Sequence, residues 1–141
     1  MIRKLLFTRN ARRGETGWTL IELLVVLSLI MILASVALTQ YRNSILSAKE
    51  AVLHSNLTQM REAIDQYYAD KGKYPDSLDA LVSERYLRAV PKDPITGESE
   101  TWQTVQADPE PGSVSASAGI YDVKSGSNDT ALDGSRYADW H

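Results

Sequence analysis

Two groups of side chains in this sequence could do chemistry. The first is a lone carboxylate, Glu22, set in Gly17-Trp18-Thr19-Leu20-Ile21-Glu22 just ahead of an apolar run from Leu23 to Leu38 that is broken only by Ser28 and Ser35. A carboxylate at mid-membrane costs about 2.5–3.5 kcal/mol, so Glu22 needs a cationic partner. The second group is Asn128, Asp129, Asp133 and Asp139, oxygen-bearing side chains in a Gly- and Ser-rich C-terminal stretch without periodicity. Hard oxygen donors in an irregular loop are the chemistry of calcium, which takes about six to eight oxygens at about 2.3–2.6 Å and accepts inward-turned carbonyls. The spacing does not fit an EF-hand loop, and a solvated acidic turn would present the same residues, so both readings stand.

Catalysis is not expected. His54 and His141 are the two histidines, Cys is absent, and no Ser-His-Asp grouping or Gly-rich phosphate loop occurs. His54 lies on a helical segment and reads as an exposed or stacking residue, and His141 as a frayed terminus. The acidic cluster could in principle serve a metal-dependent hydrolase, but no nucleophile or open catalytic position accompanies it. Without Cys there is neither a disulfide nor a thiolate metal site.

Charge is unevenly placed. Arg3, Lys4, Arg9, Arg12 and Arg13 against Glu15 give the first 17 residues +4, within a total of −3 for the 141-residue chain. That excess should hold the N-terminus in the cytoplasm. The remaining side chains carry about −7, which argues against nucleic acid as a partner.

The elements that position these groups follow from periodicity. Leu20 to Leu38 is 19 residues with one charge, about 28 Å as a helix and enough to cross a bilayer. Gly17 precedes the apolar run and no Ala-x-Ala-like site follows Leu38, so the spanning helix is expected to be retained. From Leu46 the apolar residues Leu53, Leu57, Met60, Ile64 and Tyr67 recur at helical steps, and no Pro or Gly interrupts Trp18 to Lys71. One helix of 54 residues is therefore expected, ending at Gly72 as a C-cap.

A second helix is expected over about 76–88, capped by Asp76 and presenting Leu78, Leu81, Val82, Tyr86 and Leu87, before Pro91. Thr101–Val105 and Gly119–Val123 read as strands of a small antiparallel sheet. Between them Asp108 to Gly119 is a breaker-rich loop expected to be mobile. The fold class is α+β: a long N-terminal helix, half membrane-spanning and half amphipathic, packed on a small sheet with an irregular C-terminal loop.

Gly17-Trp18-Thr19-Leu20-Ile21-Glu22 resembles the class III signal of type IV pilin-like proteins. That resemblance implies cleavage between Gly17 and Trp18 by a prepilin peptidase, N-methylation of Trp18, and Glu22 as the fifth mature residue, pairing with the freed amine of a neighbouring subunit. The family usually has Phe where Trp18 stands, a Gly near Met31 and a Pro at Thr39. Three parts follow: a leader over 1–17, a transmembrane and assembly helix over 18–40, and a periplasmic domain over 41–141.

Tyr67 to Pro75, Ser77-Leu78, Tyr86-Leu87 and Pro91 to Gly97 are similar to the major pseudopilins of type II secretion systems. The resemblance covers nearly the whole chain. Tyr67, Tyr68 and Tyr74 are read as lining the junction of stem and head, and Trp140 as packing on the sheet. The family implies calcium in the C-terminal loop, with Asn128 or Asp129, then Asp133 and Asp139, as side-chain ligands. Ser125, Gly126, Thr130 and Ala131 would offer backbone carbonyls.

It further implies an inner-membrane, single-pass subunit that polymerises with itself and minor pseudopilins. An assembly ATPase and a platform protein would act on it, in the export of folded proteins through an outer-membrane secretin. A type IV pilin for adhesion, motility or DNA uptake is the alternative, which the lack of Cys disfavours. A binding module on an uncleaved anchor is the alternative of a different class.

Overall fold

A computed structural model describes residues 15–108 and 118–141. The expected leader, save its last three residues, and most of the loop Asp108–Gly119 fall outside them. The chain forms helix α1 (Glu15–Lys71), helix α2 (Leu78–Ser83), strands β1 (Gln103–Gln106) and β2 (Ile120–Lys124), and a 3-10 turn at Tyr137–Asp139. It divides into two compact units, Met1–Arg42 and Asn43–His141.

In the first unit the large apolar side chains of α1 from Trp18 to Leu38 are 46–74% exposed. Helix Trp18–Lys71 is long and apolar enough to cross a membrane, by length and composition. Its hydroxyls are spent locally: Ser28 donates to the Leu24 carbonyl (2.8 Å), Ser35 to that of Ile32 (2.7 Å) and Thr39 to that of Ser35 (3.2 Å). Lipid offers no hydrogen-bond partner, so this back-bonding suits a helix meant for an apolar surrounding.

In the second unit the expected stripe is the core. Leu53, Leu57, Met60 and Ile64 are at most 2% exposed, Tyr67 is buried and Leu46 is half-buried. Leu53, Leu57 and Met60 pack with Trp102, Val123, Ala131 and Tyr137. A second cluster joins Ala63, Ile64 and Tyr67 to Leu81 and Ile120. The helix stops where Gly72 takes φ +69° and its N–H reaches the Tyr68 carbonyl at 2.8 Å. Tyr67 meets the Tyr86 ring edge-on at 5.2 Å, and Tyr68 stacks on Tyr74 at 4.4 Å. Tyr68 is still 45% exposed, so it covers the stem end rather than filling the core.

Helix α2 is shorter than expected, and Ser77 caps it rather than Asp76: the Ser77 hydroxyl accepts the Ala80 N–H at 3.2 Å. Arg85 ends it by entering the left-handed region at φ 67°. The N–H groups of Tyr86 and Leu87 then both fold back to the Leu81 carbonyl, at 2.8 and 3.0 Å. That turn, which usually employs Gly, directs Tyr86 and Leu87 at the core as a continued helix would not.

The sheet is a single antiparallel pair, with Gln103 opposite Lys124, Thr104 opposite Val123 and Val105 opposite Asp122. An irregularity after Val105 leaves Gln106 opposite Ile120. Both strands begin later than expected. Trp102 is drawn into the core, its indole N–H donating to the Pro91 carbonyl at 2.8 Å, and the backbone of Gly119 lies against Tyr74.

Candidate functional site

At the N-terminal site, Gly17 and Trp18 lie in the first turn of α1, where helix N–H groups lack intrahelical acceptors and Gly17 makes unwinding cheap. A protease needing extended backbone would meet little resistance there. Trp18 and Glu22, four residues apart, share one helix face and with Ile21, Val25 and Val26 line a shallow cavity of about 290 Å³. Glu22 is exposed. Cutting before Trp18 would free an amine at the positive end of the helix, four residues from Glu22.

At the other end of the chain, the acidic residues share a loop without converging. Asn128, Asp129, Asp133 and Asp139 are all exposed. Asp133 accepts the Ser135 hydroxyl at 2.6 Å and its N–H at 2.8 Å, which together hold the Asp133 carboxyl below its ordinary value. Asp139 is forked by Arg136 at 3.0 and 3.4 Å. The carbonyls of Asp129 and Ala131 accept the N–H groups of Tyr137 and Gly134, at 3.2 and 3.0 Å.

The four positions read as carbonyl donors have structural tasks. Ser125 is fully buried and donates its hydroxyl to Asp93. Gly126 is required by close approach, because an added Cβ would collide with the Thr101 carbonyl. Thr130 forms an isolated antiparallel bridge with Arg136, and Ala131 packs in the core. Among the described residues no three His or acidic side chains gather where they could hold a metal ion. With a guanidinium already on Asp139, this donor set does not fit the oxygen cage that calcium requires.

Three residues outside the expected set fix the loop. Arg61, on the stem, donates from Nε to Asp122 at 2.7 Å and from one terminal nitrogen to the carbonyls of Val123 and Trp140, each at 3.0 Å. Glu50, also on the stem, accepts the Leu132 N–H at 2.8 Å and the Tyr137 hydroxyl at 2.9 Å through one oxygen. Asp93, fully buried, accepts the Ile95 N–H and the Ser125 hydroxyl. A signal did exist for two of them: Glu50 and Arg61 fall on the helical steps of the stripe through Leu46, Leu53, Leu57 and Ile64, where a charge needs a partner. Trp140 leans edge-on against Tyr137 at 5.2 Å, its indole N–H donating to the Ser135 hydroxyl at 2.8 Å.

An apolar helix opening on Gly17-Trp18 and Glu22, and carrying a small α+β head, defines a type IV pilin-like subunit. Residues 12–38 match the prokaryotic N-terminal methylation motif. The chain is 31% identical over 99 residues to the type II secretion system core protein G of Pseudomonas aeruginosa, covering 59% of this chain and 70% of that protein. It is 28% identical over 99 residues to the core protein G of Aeromonas hydrophila, covering 59% and 69%. The fimbrial protein EcpC of Eikenella corrodens is 30% identical over 84 residues, and there the chain spans 55% of its relative's length. No solved structure matches the chain. On the length and identity of the first of these matches, the chain belongs to the core protein G family of type II secretion systems. Its relatives are pilus and secretion-system subunits, and it is a structural subunit, not an enzyme.

Proposed function

We propose that this chain is a major structural subunit of a type II secretion pseudopilus. It would be cut between Gly17 and Trp18, methylated on Trp18, and held single-pass in the inner membrane with its head in the periplasm until polymerisation. The observation that carries this reading is the exposed apolar helix from Trp18 to Leu38 with its single carboxylate. Lipid covers such a surface before assembly, and neighbouring copies of the same helix cover it afterwards. Glu22 would set the register by taking a neighbour's Trp18 amine. A contact in which each subunit offers different faces above and below does not close, and so generates a filament. Minor pseudopilins, a prepilin peptidase, a platform protein and an assembly ATPase are the partners this role requires.

Secretion is favoured over a surface pilus because the matches to core protein G proteins span 69–72% of those proteins, against 55% for the fimbrial relative. Deleting the coding sequence in the parent bacterium tests it. Loss of folded proteins from the medium, restored by the wild-type chain but not by Glu22→Ala, is expected. Intact secretion together with loss of a long surface fibre would transfer the chain to the adhesive or motile pili.

A further inference from the structure

We propose that the C-terminal loop of this chain, residues 125–140, is closed by two charged side chains of its own stem helix, Arg61 and Glu50, in place of a bound divalent cation. A cation gathers acceptors: carboxylate and carbonyl oxygens turned toward one point. That is the set Arg61 already holds, one Asp122 carboxylate oxygen with the carbonyls of Val123 and Trp140, at 2.7–3.0 Å. Val123 precedes the loop and Trp140 ends it, so one guanidinium ties its two ends together. The fork suits this task, since its nitrogens are fixed in a plane and remain charged at every pH of interest.

The middle of the loop has the opposite polarity. What it turns toward the stem is donors, the Leu132 N–H and the Tyr137 hydroxyl, and the group that meets them is the Glu50 carboxylate, at 2.8 and 2.9 Å. No cation could take that position, because both groups point hydrogens at it. Of the loop's three carboxylates, two are engaged elsewhere, Asp133 with Ser135 and Asp139 with Arg136. The apolar residues follow the same anchoring, with Ala131 and Tyr137 buried against Leu53 and Leu57. Joining the ends of the loop and seating its middle are thus divided between a guanidinium and a carboxylate on one helix.

Hydrogen exchange on the full chain in detergent, followed by mass spectrometry over residues 125–140, tests this. Wild-type protection is expected to be the same with excess chelator as with millimolar CaCl2. Arg61→Ala and Glu50→Ala should each raise exchange in the loop by about tenfold or more in chelator while amides of the stem stay protected. Should either alanine variant unprotect the stem as well, Arg61→Lys and Glu50→Gln carry the test, keeping the charge without the fork or the acceptor without the charge. Wild-type protection that collapses in chelator and returns with CaCl2 would overturn the proposal, as would loop protection unchanged in both variants.

Discussion

Tyr137 shows how a single buried group ties stability to pH. Burial first, and its hydrogen bond to Glu50 second, push its phenol from 10.0 up to about 12. The folded chain therefore favours the neutral phenol. The stability this contributes is complete below about pH 10 and is lost as pH rises through about 12. The free energy of unfolding measured across that window should fall less steeply for Tyr137→Phe than for wild type, and equal slopes would remove Tyr137 as a cause. At neutral pH the same substitution should cost about 1.5–3 kcal/mol, the range for a hydrogen bond to a charged partner. Gly126→Ala, which drives a methyl at the Thr101 carbonyl, should cost about 1–3 kcal/mol and lower the melting temperature. Of these residues the sequence made Gly17, Trp18 and Glu22 legible, because each breaks a strong local pattern. Glu50 and Arg61 are marked in the sequence only as charges on the apolar stripe of the helix, and their partners are not legible because they lie 61–87 positions away.

Elements were readable in proportion to their length. The stem declared itself because five apolar residues at steps of three and four can bury together only on a helix, and all five are buried. Leu57→Ala, at the centre of that stripe, should cost about 2–5 kcal/mol in thermal or denaturant unfolding of the head. Helix α2 differs from its expected range at both ends, because Ser77 and Asp76 are equally good caps by residue type and nothing local announces a left-handed Arg85. That residue supplies a test of the observed turn: Arg85→Gly should stabilise by about 0.5–1 kcal/mol, since Gly enters the left-handed region freely. A loss of stability instead would mean that the Arg85 side chain contributes more than its backbone costs. The sheet has the expected strand order and antiparallel pairing, with its edges one or two residues from those expected. Trp102, expected in the first strand, instead buries its ring in the core and donates to the Pro91 carbonyl.

As a whole, the molecule joins a compact head to a long apolar helix. Its head is satisfied internally, with a core, capped helices and charges paired across the stem, whereas the large apolar side chains of its N-terminal helix from Trp18 to Leu38 are exposed. Such a division describes a subunit rather than a finished machine, and it gives the residues around Trp18 their importance. The measurement that bears on this most directly is the intact mass of the chain purified from membranes of a bacterium with an active prepilin peptidase. A mass lacking Met1–Gly17 and carrying one added methyl group, placed on Trp18 by fragmentation, is the expected result. A chain that keeps residues 1–17 in that same membrane would contradict the account, leaving an uncleaved anchor whose Glu22 has no amine to meet.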